Sequence, residues 1–165
     1  MKPADFWVNH LQLQPHPEGG FFREVYRSEE KIDAEALPAR FSGSRNFSTS
    51  IYFLLPGNAR SRLHRIQSDE MWHFYEGDAL DLFIFRENGK LETLNLGREP
   101  ETGQVLQTIA PKGCWFAAKC KNENGYSLMG CTVAPGFDFE DFELAETESL
   151  ISIYPQHQQF IEAYT

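Results

Sequence analysis

The stretch from Ser61 to Gly77, SRLHRIQSDEMWHFYEG, carries the side chains best suited to chemistry. A strand over residues 60–67 puts Arg62, His64 and Ile66 on one face, because successive side chains alternate. Ser68-Asp69 makes a turn, and a returning strand over 70–76 presents Glu70, Trp72 and Phe74 together. Antiparallel pairing across that turn brings His64 and Glu70 to the same side. An imidazole and a carboxylate held on rigid strands serve two chemistries. They can ligate a divalent transition metal, or they can work as an acid/base pair near neutral pH. The segment by itself leaves both open. His73 should point away from Trp72 and adds nothing to such a site. His16 and Glu18 sit among prolines and glycines and read as turn residues, while His10 and His157 read as helix-surface positions. Cys131, in an apolar strand, reads as an inert buried thiol.

The elements that must hold these residues follow from punctuation. Residues 4–13 have helical spacing, stopped by Pro15 and Pro17, and FFREVYRS at 21–28 has strand character. Residues 29–46 read as a long loop with a helical turn at 33–37. Further strands are expected at 47–55, 79–86, 90–96, 104–110, 114–119 and 126–134. Pro56-Gly57, Gly77-Asp78, Asn88-Gly89, Pro111-Lys112-Gly113 and Pro135-Gly136 separate them. The alternating Phe137, Phe139 and Phe142 suggest an edge strand over 137–144, and two helical segments at 147–154 and 156–164 end the chain. Many short strands joined by tight turns make an antiparallel sandwich or barrel, an all-β fold.

The bulk properties remove several classes. With 165 residues, one domain is expected. A net charge of −9 repels phosphate backbones, so nucleic acid is excluded as a partner. No apolar run reaches the length of a membrane span, and the N-terminus lacks a signal-peptide core. Cys114, Cys120 and Cys131 are odd in number and lack metal-type spacing, which fits free thiols and a cytoplasmic location.

With those elements in place the sequence resembles the cupin superfamily. Its first motif runs His-x-His, a short gap, Glu, a longer gap, Gly; here His64, Glu70 and Gly77 keep that register, and Ile66 occupies the second histidine position. Its second motif begins Pro-x-Gly, as in Pro111-Lys112-Gly113, but Phe116 occupies the histidine position. Several blocks are similar to one uncharacterised family, Cupin_5: PHPEGGFFREVYRS, TSIYFLL, HRIQSDEMWHF, PKGCWFAA and GCTVAPGFDFEDFEL, spanning about residues 5–155.

The resemblance implies a double-stranded β-helix, the cupin jelly-roll barrel, with a short N-terminal helix and C-terminal helices. It implies one domain over 1–165 with its barrel core at about 20–145, a homodimer, and a small-molecule ligand in the barrel. It also implies a pocket similar to that of the deoxysugar-nucleotide epimerases, which use a histidine base without metal. On that reading His64 is the base, and Glu70 or Tyr52 orients it or donates a proton. Arg23 and Arg62 bind a carboxylate or phosphate, and Trp72 and Phe116 line the pocket. The substrate would be a sugar-like or carboxylated metabolite, isomerised or epimerised with no cofactor. Two alternatives stand beside it. One is a dioxygenase-like enzyme with a divalent transition metal on His64 and Glu70. The other is a metabolite-binding barrel without catalysis.

Overall fold

The computed structural model describes residues 2–165. The chain opens with helix α1 (Ala4–His10), strand β1 (Gln14–Pro15) and strand β2 (Phe21–Arg27). The following connection contains the small ladder of β3 (Lys31–Ile32) with β4 (Arg45–Asn46), and a 3-10 turn at Ala34–Ala36. Eight strands follow: β5 (Thr49–Pro56), β6 (Ser61–Arg65), β7 (Asp69–Gly77), β8 (Leu80–Phe85), β9 (Leu91–Leu96), β10 (Gln107–Ala110), β11 (Phe116–Cys120) and β12 (Tyr126–Ala134). The chain ends with β13 (Glu143–Leu144), α2 (Thr147–Ile153) and α3 (Gln158–Tyr164).

Two antiparallel sheets face one another, in the orders β1-β2-β5-β12-β7-β10 and β13-β6-β11-β8-β9. Alternation decides what each strand contributes. On β5, Phe53 and Leu55 enter the inter-sheet core, whereas Leu54 turns outward to Leu13, Tyr126 and Leu128 beneath α1. On β8, Leu80, Leu82 and Ile84 point inward and Phe85 points outward. That outer face is covered by Leu150 of α2 and by Ile161 and Tyr164 of α3, which pack on Leu63, Phe85 and Trp115. The inner core is dominated by Phe53, Trp72 and Phe116, each fully buried. Burial of an aromatic of this size contributes about 1.5–3 kcal/mol.

Three elements differ from expectation, the first being the 29–46 connection, where the β3–β4 ladder stands in place of an open loop. The N-terminal helix stops at His10, because Gln12 adopts a positive φ of 54° that breaks the helical turn. Residues 137–144 are not one edge strand. The Asp138 carboxylate accepts the Glu140 N–H at 2.9 Å and winds a 3-10 turn over Phe139–Asp141. This turn aims Asp141 inward, where both carboxylate oxygens accept from Arg45 at 2.7 Å.

Candidate functional site

The space between the sheets is solid at one end and hollow at the other. A cavity of about 220 Å³ lies where β2, β5, β6, β7 and β12 meet the 137–142 segment. Its walls are aromatic and aliphatic: Phe22, Phe53, Phe137, Phe139 and Phe142, with Ile51, Ile66 and Val133. Five ionisable groups break that apolar lining in the interior: His16, Glu18, His64, Glu70 and the thiol of Cys131. Glu24, Arg27 and Asp138 supply further charge. Arg27 is committed to its neighbours, donating to both Glu24 oxygens at 2.9 and 2.7 Å, to Asn46 Oδ1 at 2.9 Å and to the Phe137 carbonyl at 3.1 Å.

His64 is held from both sides. Its Nε2 lies 2.9 Å from Glu18 Oε2, and its Nδ1 lies 2.6 Å from the Arg62 carbonyl oxygen. Two acceptors facing two ring nitrogens are both satisfied only by an imidazolium. The second Glu18 oxygen accepts from Ser61 Oγ at 2.8 Å. Burial works against a charge on His64, but Glu18 and the Arg62 carbonyl outweigh it, and the imidazole titrates above its ordinary value. Burial likewise works against the Glu18 carboxylate, yet His64, His16 and Ser61 hold it below the ordinary value. Phe116 backs the imidazole edge-on, with ring centroids 4.1 Å apart.

Glu70 has no ion-pair partner among the described residues. Trp72 and Cys131 lie beside its carboxyl and favour the charged form, although the Trp72 Nε1–H completes no well-formed hydrogen bond. Burial first, and the Glu18 charge second, raise Glu70 to about 7, with His64 opposing. His16 is also depressed by burial, which Glu18 only partly offsets. The Cys131 thiol is pushed well above its usual range by burial and then by the nearby carboxylates.

His64 and Glu70 therefore line one cavity, as the motif register implied, but the partner bonded to His64 is Glu18. The other sequence candidates lie elsewhere. Arg62 is exposed and donates to the Pro17 carbonyl at 2.7 Å, because β6 does not alternate cleanly. His64 pairs with Phe116 while Ser61 pairs with Ala118, so β6 carries one extra residue, and the bulge buries both Leu63 and His64. Arg23 lies outside the cavity and donates to Gln12 Oε1 at 3.2 Å. Tyr52 belongs to the outer cluster under α1 and packs against Tyr75 with centroids 6.1 Å apart. Trp72 and Phe116 are core residues behind the cavity rather than its lining.

His16 and Glu18, turn residues by sequence pattern, do lie on the turn between β1 and β2, but both reach into the cavity. Gly19, with φ of 111°, lets this turn press against β6: a Cβ there would overlap the Arg60 carbonyl. The Glu18 carbonyl accepts the Arg62 N–H at 2.8 Å, which pins the turn beside His64. The visible signal was the PHPEGG block itself, a charged residue and an imidazole beside paired glycines.

The donor set does not fit the superfamily's metal pattern of three histidines and a glutamate. Ile66 and Phe116 have no lone pair to offer, and both His64 nitrogens are engaged. Among the described residues, no group of three His, Cys, Asp or Glu side chains converges in a way that could hold a metal ion.

A family profile described as Cupin_5, Cupin superfamily (DUF985), matches residues 5–145. The uncharacterized protein YML079W of Saccharomyces cerevisiae is 31% identical over 151 residues, covering 86% of this chain and 74% of that protein. The crystal structure of protein SO0799 from Shewanella oneidensis superposes with a TM-score of 0.89 at 39% identity, over 100% of this chain and 98% of its own. A hypothetical protein from Leishmania major gives a TM-score of 0.90 at 36% identity, over 99% of each chain. Oxalate decarboxylase from Bacillus subtilis shares the fold alone, with a TM-score of 0.56 at 15% identity over 92% of this chain and 36% of that one.

Proposed function

This chain belongs to the Cupin_5 (DUF985) family of the cupin superfamily, and from that premise we propose that it binds a small, uncharged polar metabolite in the barrel and isomerises or epimerises it by proton transfer. One observation carries the reading: Glu70 stands unpaired on an apolar cavity wall beside a closed Glu18–His64 ion pair. A carboxyl near 7 is poised to take and return a proton at neutral pH. The resemblance to the epimerases implies His64 as base with Glu70 in support. The hydrogen bonds favour the opposite division, since neither His64 nitrogen is free to meet a substrate. Glu18 and His64 would set the field in which Glu70 titrates. The lining holds no uncommitted cation, which favours a neutral sugar-like ligand over a carboxylated one. The volume of about 220 Å³ suits a compact metabolite.

The test is solvent-deuterium exchange into neutral hydroxycarbonyl metabolites. Wild type should exchange the hydrogen next to the carbonyl, with a pH limb near 7 that vanishes in Glu70→Gln together with about 10²-fold or more of the rate. Equal exchange by wild type and Glu70→Gln would sink the proposal. Thermal stabilisation by a ligand that never exchanges would point instead to a binding barrel.

A further inference from the structure

Resting on the acid/base reading of the cavity, we infer that His16 is a fixed neutral donor whose Nε2–H receives the carbonyl oxygen of the ligand. The argument begins with its other nitrogen. The Glu18 backbone N–H donates to His16 Nδ1 at 3.2 Å, so Nδ1 carries a lone pair and the proton of the neutral ring is on Nε2. Nε2 has no hydrogen-bond partner among the described residues, although the His16 side chain is 7% exposed and lines the cavity.

A competing arrangement would protonate Nδ1 toward Glu18 Oε2, 3.5 Å away. That oxygen already serves His64 Nε2 at 2.9 Å, and protonation would strip the Glu18 N–H of its acceptor. The surroundings also disfavour an imidazolium. The ring stands edge-on to Phe22 with centroids 4.6 Å apart, and to Phe53 and Phe142 at 6.1 and 6.0 Å. Burial holds its titration below the ordinary value.

A neutral N–H in an apolar wall suits an oxygen that gains charge during reaction. Glu70 carboxylate removes a proton from the carbon beside a ligand carbonyl. The C–H electron pair moves into the carbon–carbon bond, and the carbonyl pair moves onto oxygen. The resulting enolate oxygen meets His16 Nε2–H. Where the ligand is a hydroxycarbonyl, the hydroxyl proton passes to that oxygen and Glu70 delivers its own proton to the former carbonyl carbon, so the carbonyl moves by one position with no external reactant.

The first test needs no ligand. In ¹⁵N-edited imidazole spectra at pH 7, His16 should be the neutral Nε2–H tautomer, both in wild type and in Glu70→Gln. An imidazolium or an Nδ1–H tautomer would overturn the assignment and leave the Glu70 titration untouched. The second test compares dihydroxyacetone and xylulose with glycerol and xylitol as NMR binding probes. Wild type should prefer the ketones by about tenfold, the worth of one neutral hydrogen bond. His16→Phe should lose that preference, and His16→Gln, whose amide N–H can stand in for Nε2–H, should keep much of it. No ketone binding, no preference in wild type, or an unchanged preference in His16→Phe overturns the inference. Ketone preference without deuterium exchange supports the donor and removes Glu70 as the base, so the two failures are separable.

Discussion

Replacing Glu70 with Gln should stabilise this protein, and only at neutral and alkaline pH. Below about 4.5 the carboxyl is protonated in folded and unfolded chains alike and costs the fold nothing electrostatic. Between 4.5 and about 7 the unfolded chain releases its proton while the folded chain keeps it. Folded-state stability therefore falls as pH rises through that window, at 1.36 kcal/mol per pH unit. Moving the carboxyl from 4.5 to about 7 costs the fold about 3 kcal/mol once both states are ionised. Glutamine has the shape of the protonated acid and no charge to desolvate. At pH 4 the variant should lie within about 1 kcal/mol of wild type. By pH 8.5 it should exceed wild type by about 3 kcal/mol, or roughly 6–12 °C in Tm for a domain of this size. Urea titrations of both proteins from pH 4 to 8.5, with matched slopes, measure the difference. A difference that stays flat across that range would refute the claim that Glu70 is raised.

Glu18→Gln leaves the His64 charge without its partner and should cost about 3 kcal/mol, as for other broken buried pairs. The loss should be largest between pH 4.5, above which Glu18 is ionised even when unfolded, and pH 6.5, below which His64 is charged even when unfolded. It should shrink as pH falls through the lowered Glu18 value or rises through the raised His64 value, in denaturation curves run across that range. In the same variant the Glu70 carboxyl resonance should titrate lower than in wild type, since one of its two raising influences is gone; an unmoved midpoint would contradict the assigned cause. Arg45→Ala strands Asp141 in a buried position and should cost about 3 kcal/mol, while making the 137–142 segment the first site cut by protease. Alkylation at pH 8 should reach the half-buried Cys114 first and spare Cys131, and early modification of Cys131 would contradict its elevated titration.

Much of the barrel could be read from the sequence because its strands end where the backbone must turn. Pro56-Gly57, Gly77-Asp78 and Asn88-Gly89 each fall within a residue or two of an observed strand end. The alternation of Glu70, Trp72 and Phe74 on β7 also holds, all three being buried. The same rule misplaced Arg62, because one extra residue in β6 reverses the facing of everything before it. Tyr52 carries a related lesson: a period of two names the residues sharing a face, but not which face meets the cavity. Glu18 was missed for a different reason: the PHPEGG block marks the residue but not its partner. Its contact with His64 spans 46 positions and depends on a turn pressed against β6, which no local pattern encodes.

The apolar cover laid over the five-stranded sheet by α2 and α3 bears on where this fold can be divided. The family profile ends at residue 145, just before α2 begins at Thr147. The stretch that the profile matches is thus not by itself self-sufficient in water. A fragment trimmed to the profile would bare Leu63, Phe85 and Trp115 side by side, a patch that favours self-association. Any grafting, circular permutation or fusion of this barrel must carry its last two helices along, even though none of the residues that give the cavity its chemistry lies within them.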